Sequence, residues 1–297
     1  MKIDDQFDLK MCKQAQEFAT QLKQQYAARN VMNRAMDDMY FLRDEDEGAR
    51  RKVFENMKIT KSPDAKAAID GFTRLLGSTD PKISVPIDPD LMGSDTLSSK
   101  LEIMADTMLQ AAGRIAGNPI HYDILRSAAL YSEIHISIES TQDELLRLQG
   151  MDTRQGDYKA QIARAERVAA LTPYLFNVTN PTDGYPEIDG LGLRHMYRET
   201  KMTVGALVDK WGKRAQLVVD AGKNKKLNRF DVITVGDLWD LENRQVWIQG
   251  IERPVWQDKH NLPFIPWVVS YVEGSRLFQK QEEQRMPFLY SLWKSEL

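Results

Sequence analysis

Val232-Ile233-Thr234-Val235-Gly236-Asp237-Leu238-Trp239-Asp240-Leu241-Glu242-Asn243-Arg244-Gln245-Val246-Trp247-Ile248-Gln249-Gly250 is the stretch from which the fold is best read. Two runs rich in β-branched and aromatic residues, Val232 to Trp239 and Gln245 to Gly250, flank the polar centre Leu241-Glu242-Asn243-Arg244, which is the pattern of a β-hairpin. A lone hairpin is marginal in water, so further strands are expected beside it. Toward the N-terminus, Leu193 to Met202 and Tyr174 to Val178 read as strands. The turn-rich Asn180-Pro181-Thr182-Asp183-Gly184 lies between them. Toward the C-terminus, Val255-Trp256 and Pro266 to Tyr271 add two candidates. Val204, Leu207, Val208 and Trp211 interrupt with one short helix. The main antiparallel sheet is expected here, after Thr172.

Before Thr172 the period is mostly helical. Met11, Ala15, Phe18, Ala19, Leu22 and Tyr26 recur at three- and four-residue steps, and Met32, Ala35, Met36, Met39 and Tyr40 continue the stripe. The charged run from Arg43 to Gly48 reads as a solvated loop. Ser62-Pro63 is a helix start, serine as cap and proline at the first helical position. Ile69, Phe72, Leu75 and Leu76 give its apolar face, and the helix stops near Gly77. Prolines 81, 86 and 89 keep Thr79 to Asp90 extended or turning. The next helix, from Ser94 or Ser98, has the cleanest stripe of the chain: Leu97, Leu101, Met104, Ala105, Met108, Leu109, Ala112 and Ile115. Pro119 opens a short helix through about Leu130. Ile134, Ile136 and Ile138 then alternate with His135, Ser137 and Glu139, a half-buried strand with the isoleucines inward. A polar helix near Gln142 to Leu148 and another over Tyr158 to Leu171 complete this half.

From about Glu282 the chain reads as helix again, with Phe288, Leu289, Trp293 and Leu297 apolar. It ends on Leu297 without Gly, Asn or another stop signal, so the expectation is a piece of a longer protein. The expected class is α+β: a helical N-terminal half, a mainly antiparallel β segment, and an uncapped helix. The expected divisions are 1–171, 172–280 and 281–297. No repeat of 20–50 residues is visible.

The composition, 42% apolar and 28% charged over 297 residues, is that of a globular chain able to bury a core. Forty basic against 43 acidic residues give a formal charge of −3, which speaks against tight sequence-specific DNA binding. Passage near DNA without a firm grip stays compatible. The one cysteine, Cys12, excludes an internal disulfide and fits a reducing cytosol. No run of about 18 apolar residues is present, and MKIDDQFDLK is too polar for a signal peptide. Asn177-Val178-Thr179 matches a glycosylation acceptor, which without secretion carries nothing.

No phosphate loop, dinucleotide-binding glycine pattern, His-Glu-x-x-His or Gly-x-Ser-x-Gly is present; Gly190-Leu191-Gly192 reads as a turn. Among the histidines, His121 reads as a local partner of Asp123, His135 as lying on a polar strand face, and His195 and His260 have no partner at metal-ligand spacing. Cys12 has no nearby histidine to activate it. Asp183, Glu187 and Asp189 offer oxygens to a calcium ion, but their spacing fits a solvated turn better. Asp183, Asp189 and Asp237 are the carboxylates that a motif-free hydrolase would use. All six tryptophans (211, 239, 247, 256, 267 and 293) follow residue 200. Sheet core and subunit contact are both open for them. Arg50-Arg51-Lys52 and Lys223 to Lys226 are basic clusters, solvated by default and able to brush against phosphates. The expectation is no enzyme, no catalytic residue, no cofactor and no metal.

The blocks Ile59-Thr60-Lys61-Ser62-Pro63, Ile69-Asp70, Leu75-Leu76, Thr79-Asp80-Pro81-Lys82-Ile83-Ser84-Val85-Pro86 and Pro119-Ile120-His121-Tyr122-Asp123-Ile124 resemble, in this order, the N-terminal part of tailed-bacteriophage portal proteins. So do Thr172-Pro173-Tyr174-Leu175-Phe176, Asp237-Leu238-Trp239-Asp240, Leu262-Pro263-Phe264-Ile265-Pro266 and Pro287 to Lys294. The resemblance runs from about residue 30 to the end. It implies a structural subunit of a homo-oligomeric ring, typically dodecameric, at one capsid vertex. Such a ring is the conduit for DNA packaging and ejection in the virion, assembled in the host cytoplasm. It implies major capsid and scaffold proteins, terminase and a tail adaptor as partners. It also implies transient non-specific contact with double-stranded DNA, and no membrane. Residues 1–171 and 172–280 would then be wing, and 281–297 a helix cut before or at the stem. Another head-tail connector or minor head protein, and a carboxylate-based hydrolase, are the alternative readings.

Overall fold

The hairpin is present. In a computed structural model, strands β5 (Val232–Trp239) and β6 (Asn243–Ile248) pair antiparallel, Val235 opposite Ile248 and Trp239 opposite Arg244. The turn is tighter than its sequence implies. Asp240 accepts from the backbone N–H of Glu242 (2.7 Å) and Asn243 (2.6 Å), so Asn243 and Arg244 belong to the strand rather than the loop. The structure describes residues 9–41, 63–78, 84, 94–117, 119–142, 145, 158–190, 192–221, 227–260 and 262–271. Several expectations lie outside the described residues: the charged run at 43–48, the proline segment at 79–90 apart from Ser84, most of the helix near 142–148, the clusters at 50–52 and 223–226, and the helix from 282.

Five helices precede the first strand: α1 (Leu9–Gln25), α2 (Ala27–Tyr40), α3 (Asp64–Gly77), α4 (Ser94–Ala116) and α5 (Ile120–Tyr131). Pro63 sits one residue before α3 and makes no side-chain cap, and Pro119 precedes α5 in the same way. Then come β1 (Glu133–Ser140), α6 (Tyr158–Leu171), β2 (Tyr174–Thr179), β3 (Gly184–Asp189), β4 (Gly192–Thr203) and α7 (Val204–Ala221). After the hairpin come β7 (Pro254–Lys259) and β8 (Trp267–Tyr271). The class is α+β, helical first and strand-rich after Leu171. Two elements depart from expectation. β3 occupies what reads as a turn. It is an edge strand, where Pro186 forfeits no ladder bond that the sheet needs. Helix α7 is long rather than short, and is two helical pieces joined at Gly212, whose φ of 68° a side chain would strain.

The chain forms two compact units, and each draws on both halves of the sequence. Unit 1 comprises Met1–Ala27, Ser140–Ala169 and Thr182–Val269; unit 2 comprises Ala28–Glu139, Ala170–Pro181 and Ser270–Leu297. Unit 1 is a five-stranded antiparallel sheet, order β3-β4-β5-β6-β7, with a helix on each face. Successive residues point to opposite faces. Ile233, Val235, Val246, Ile248 and Val255 pack under Leu207, Trp211, Ala215 and Val218 of α7. Tyr185, Tyr197, Leu238 and Trp247 pack under Cys12, Ala15, Ala19 and Leu22 of α1. Gly236 lies opposite Trp247 in register, and a Cβ there would stand 2.7 Å from Trp247 Cε2. Gly236→Ala should therefore cost about 1–3 kcal/mol by overpacking. Urea unfolding checks this, and unchanged stability would contradict the flat seat of the indole.

Unit 2 gathers α3, α4 and α5 with β1 and β2. In its sheet β1 and β2 are neighbours. Helix α3 packs on α5, and Ile69, Leu130 and Tyr131 share one core cluster with Tyr40 of α2. Gly77 closes α3 where a Cβ would stand 2.7 Å from the Tyr122 ring. β1 reverses the expected alternation. Glu133, His135 and Ser137 are its buried residues, and Ile134, Ile136 and Ile138 are only half-buried.

Candidate functional site

The richest side-chain cluster of unit 1 stands on the α7 face of the sheet. Asp237 of β5 lies opposite Arg198 of β4 in register. Arg244 of β6 reaches it with both arms of its fork, Nε donating to Oδ1 at 3.0 Å and Nη2 to Oδ2 at 2.8 Å. Arg198 Nη2 stands 3.5 Å from the same carboxylate. The cations lie over indoles: Arg244 is 4.5 Å from the Trp239 ring centre and 5.3 Å from that of Trp211, and Arg198 is 5.2 Å from that of Trp267. Lys210 stands 5.7 Å from the Trp211 ring. Burial by itself would raise the Asp237 carboxyl. The charge and hydrogen bonds of Arg244, then Arg198 and Lys210, outweigh it and hold the carboxyl below its ordinary value of 3.8. Both oxygens are engaged and the group stays ionised, so this carboxylate is poorly placed to transfer a proton. The arrangement fixes strand to strand and neutralises a buried charge.

On the α1 face, Tyr185, Tyr197 and Trp247 stack in a ladder with ring separations of 5.4 and 5.6 Å. The Tyr197 hydroxyl donates to Glu199 at 2.8 Å and accepts from Gln249 at 2.8 Å, while Lys23 donates to Glu199 at 2.7 Å. Burial, reinforced by Glu199, pushes the Tyr197 phenol far above its ordinary value. Lys23, Tyr197 and Gln249 border a cleft of about 280 Å³ lined also by Ala19, Thr20, Gln24 and Ala27. Lys23 and Glu199 neutralise each other, so the cleft has no excess charge to draw an ion. Cys12 is buried in the same layer, its thiol pushed up to about 11 by burial despite a bond from Gln16, and so is held as the unreactive thiol. His195 does have a partner that spacing alone did not show. Its Nδ1 makes a short bond to Glu187, its register partner across β3 and β4, and Phe18 lies 4.6 Å from its ring.

Unit 2 buries a second polar network. Arg29 Nη1 donates to Glu133 at 3.1 Å, its Nη2 to the Pro181 carbonyl at 2.9 Å and to Asn30 at 2.9 Å. His135 Nε2 donates to the same Glu133 at 2.8 Å. The arrangement explains the inversion of β1. A buried guanidinium needs a carboxylate, and that fixes which face of the strand turns inward. His135 is thus a buried member of an ionic network, not an exposed polar-face residue. Tyr131 makes a short bond to Asp37, and Asn180 donates to both at 3.3 Å.

His121 donates to the Gly77 carbonyl at 3.0 Å instead of bonding Asp123, which pairs with Arg126. His260 bonds the Asp240 carbonyl at 2.8 Å. Asp183 lies in a 3₁₀ turn, Glu187 and Asp189 on β3, and Glu187 is committed to His195. Among the described residues, no three His, Cys, Asp or Glu side chains gather where they could hold a metal ion, and no helix is long and apolar enough to cross a membrane. Trp211, Trp247 and Trp267 are buried, and Trp239 and Trp256 half-buried. The partners that escaped the sequence reading are Arg29, Glu133, Arg198 and Arg244. The available signal was Arg244 two residues before Val246, in phase with the inward strand positions. No family model matches the chain, and no curated protein matches it either.

Proposed function

We propose that this chain is a structural subunit of a tailed-phage portal ring, part of the conduit through which DNA is packaged and ejected. Its partners would be further copies of itself, the major capsid and scaffold proteins, terminase and a tail adaptor, with passing contact to double-stranded DNA. Its place would be the virion. Beside the ordered blocks described above, one structural observation supports the reading. Among the described residues of unit 2, buried polar side chains outnumber buried apolar ones, while large apolar residues such as Val31, Phe72, Leu75, Leu97 and Ile103 stand exposed. Unit 1 has a conventional apolar core on both sheet faces, and it too leaves large apolar residues exposed, among them Phe230, Val232 and Phe264. Large apolar residues left at the surface are suited to assembly with further copies or partners.

The polar clusters fit the same reading. Asp237, Glu133 and Glu199 each serve as anchors for cations or hydrogen-bond donors. The slightly negative net charge suits a channel wall along which DNA must slide. Electron microscopy of the protein expressed from its complete gene tests the proposal. Closed rings with a central opening wide enough for duplex DNA are expected. Particles of one or two copies at micromolar concentration would overturn it.

A further inference from the structure

The interior of unit 2 carries a polar layer with donors and acceptors left over. Arg29, Asn33 and Asp37 follow one another at four-residue steps along α2, so they share one face of the helix over about 12 Å. All three are buried. Arg29 is held by Glu133 and the Pro181 carbonyl at one end, and Asp37 by Tyr131 and Asn180 at the other. Asn33 stands between them, one helical turn from each. It is 0% exposed, and among the described residues neither its Oδ1 nor its Nδ2 has a hydrogen-bond partner. The inward face of β1 adds two more such atoms. His135 gives its Nε2 proton to Glu133, so its Nδ1 is an acceptor, buried and unpartnered. Ser137, next on the same face, buries an unpartnered Oγ.

We propose that this layer is a binding site for water, held at the Asn33 amide and again between His135 and Ser137. A buried polar group that gives up its bonds to solvent without replacing them lowers the folding constant by about ten- to a hundredfold. Asn33 has two such groups, so the layer favours a guest that completes them. The chemistry selects which guest. It must donate to Oδ1 and accept from Nδ2, which water does and a monatomic ion of either sign does not. At the second position it must donate to His135 Nδ1 and bond the Ser137 hydroxyl. Side chains two residues apart on one strand face start about 7 Å apart, a gap that one water spans. Bridged at Asn33, the Arg29 and Asp37 clusters become one network that joins α2, the junction of α5 with β1, and the segment after β2. The site belongs to unit 2 alone and does not depend on the assembly the chain joins.

Asn33→Leu in the 297-residue chain tests the site by the sign of its effect. Leucine has the outline of asparagine without its polar atoms. Were the amide dry, the exchange would remove two unpaired groups, and the folding constant would rise. With water in place the exchange cuts the link, and the constant measured by urea unfolding should fall about tenfold. A rise, or no change, overturns the proposal. A crystal structure of the parent at a resolution that shows ordered solvent is the second measurement, and it decides alone where Asn33→Leu does not fold. Solvent density is expected within hydrogen-bond distance of Asn33 Oδ1 and Nδ2, and of His135 Nδ1 and Ser137 Oγ. Asn33 turned to a protein partner, or an amide with no density beside it, overturns the proposal, and density at Asn33 alone refutes the second position. An anomalous signal beside Asn33 after a soak in rubidium chloride identifies a cation and overturns water as the guest.

Discussion

Arg244→Ala should lower folding stability by about 3–5 kcal/mol at neutral pH, among the largest effects available in unit 1. The substitution leaves Asp237 buried beneath α7 without its bidentate partner, with the more distant Arg198 and Lys210 to balance it, and a poorly compensated buried charge is what makes breaking such a pair costly. It also empties the space between Trp239 and Trp211. The acid side of the profile carries a second signature. The folded Asp237 carboxyl lies below its unfolded value, so its contribution is complete above about pH 4 and is lost as pH falls through the folded value. Without Arg244 the folded carboxyl rises, and stability should begin to fall at higher pH than in the parent. Urea unfolding across pH 3–7 reads both. A loss under 1 kcal/mol with an unmoved acid limb would show that the pair is not buried as described.

Arg29→Ala should be of similar size, about 3–5 kcal/mol, and should act on unit 2. Glu133 is 1% exposed and would lose its guanidinium partner, and the Pro181 carbonyl would lose a donor as well. The paired change Arg29→Met with Glu133→Gln should recover most of the loss, because it removes both charges together. A denaturation series on the three proteins separates the outcomes. If the double variant is no better than Arg29→Ala, the network holds unit 2 through something other than charge pairing.

The parts of the fold that could be read in advance are those where local pattern and tertiary demand agree. β5 and β6 carry β-branched and aromatic residues around an Asp-led turn, and Pro63 and Pro119 mark helix starts in the sequence that the structure keeps within one residue. β1 shows the opposite. Its alternation is plain in the sequence, but Ile134, Ile136 and Ile138 would be assigned inward by any apolar rule. What turns the strand over is Arg29, more than a hundred residues away, demanding Glu133. Long-range charge pairing leaves no periodic trace. β3 was hidden for a related reason. Pro186 and two carboxylates argue against a strand, and only an edge position beside β4 makes them acceptable. The Asp237 cluster was half legible. The aspartate stands out in the sequence, whereas its partners Arg198 and Arg244 are brought to it by strand register alone.

Helices α3 and α4 were legible as amphipathic, and each still leaves apolar residues at the surface, Phe72 and Leu75 on α3 and Leu97 and Ile103 on α4. Native mass spectrometry of the chain, from nanomolar to tens of micromolar, is the most direct measurement. The account predicts one dominant closed oligomer of many copies. A monomer throughout that range would contradict it.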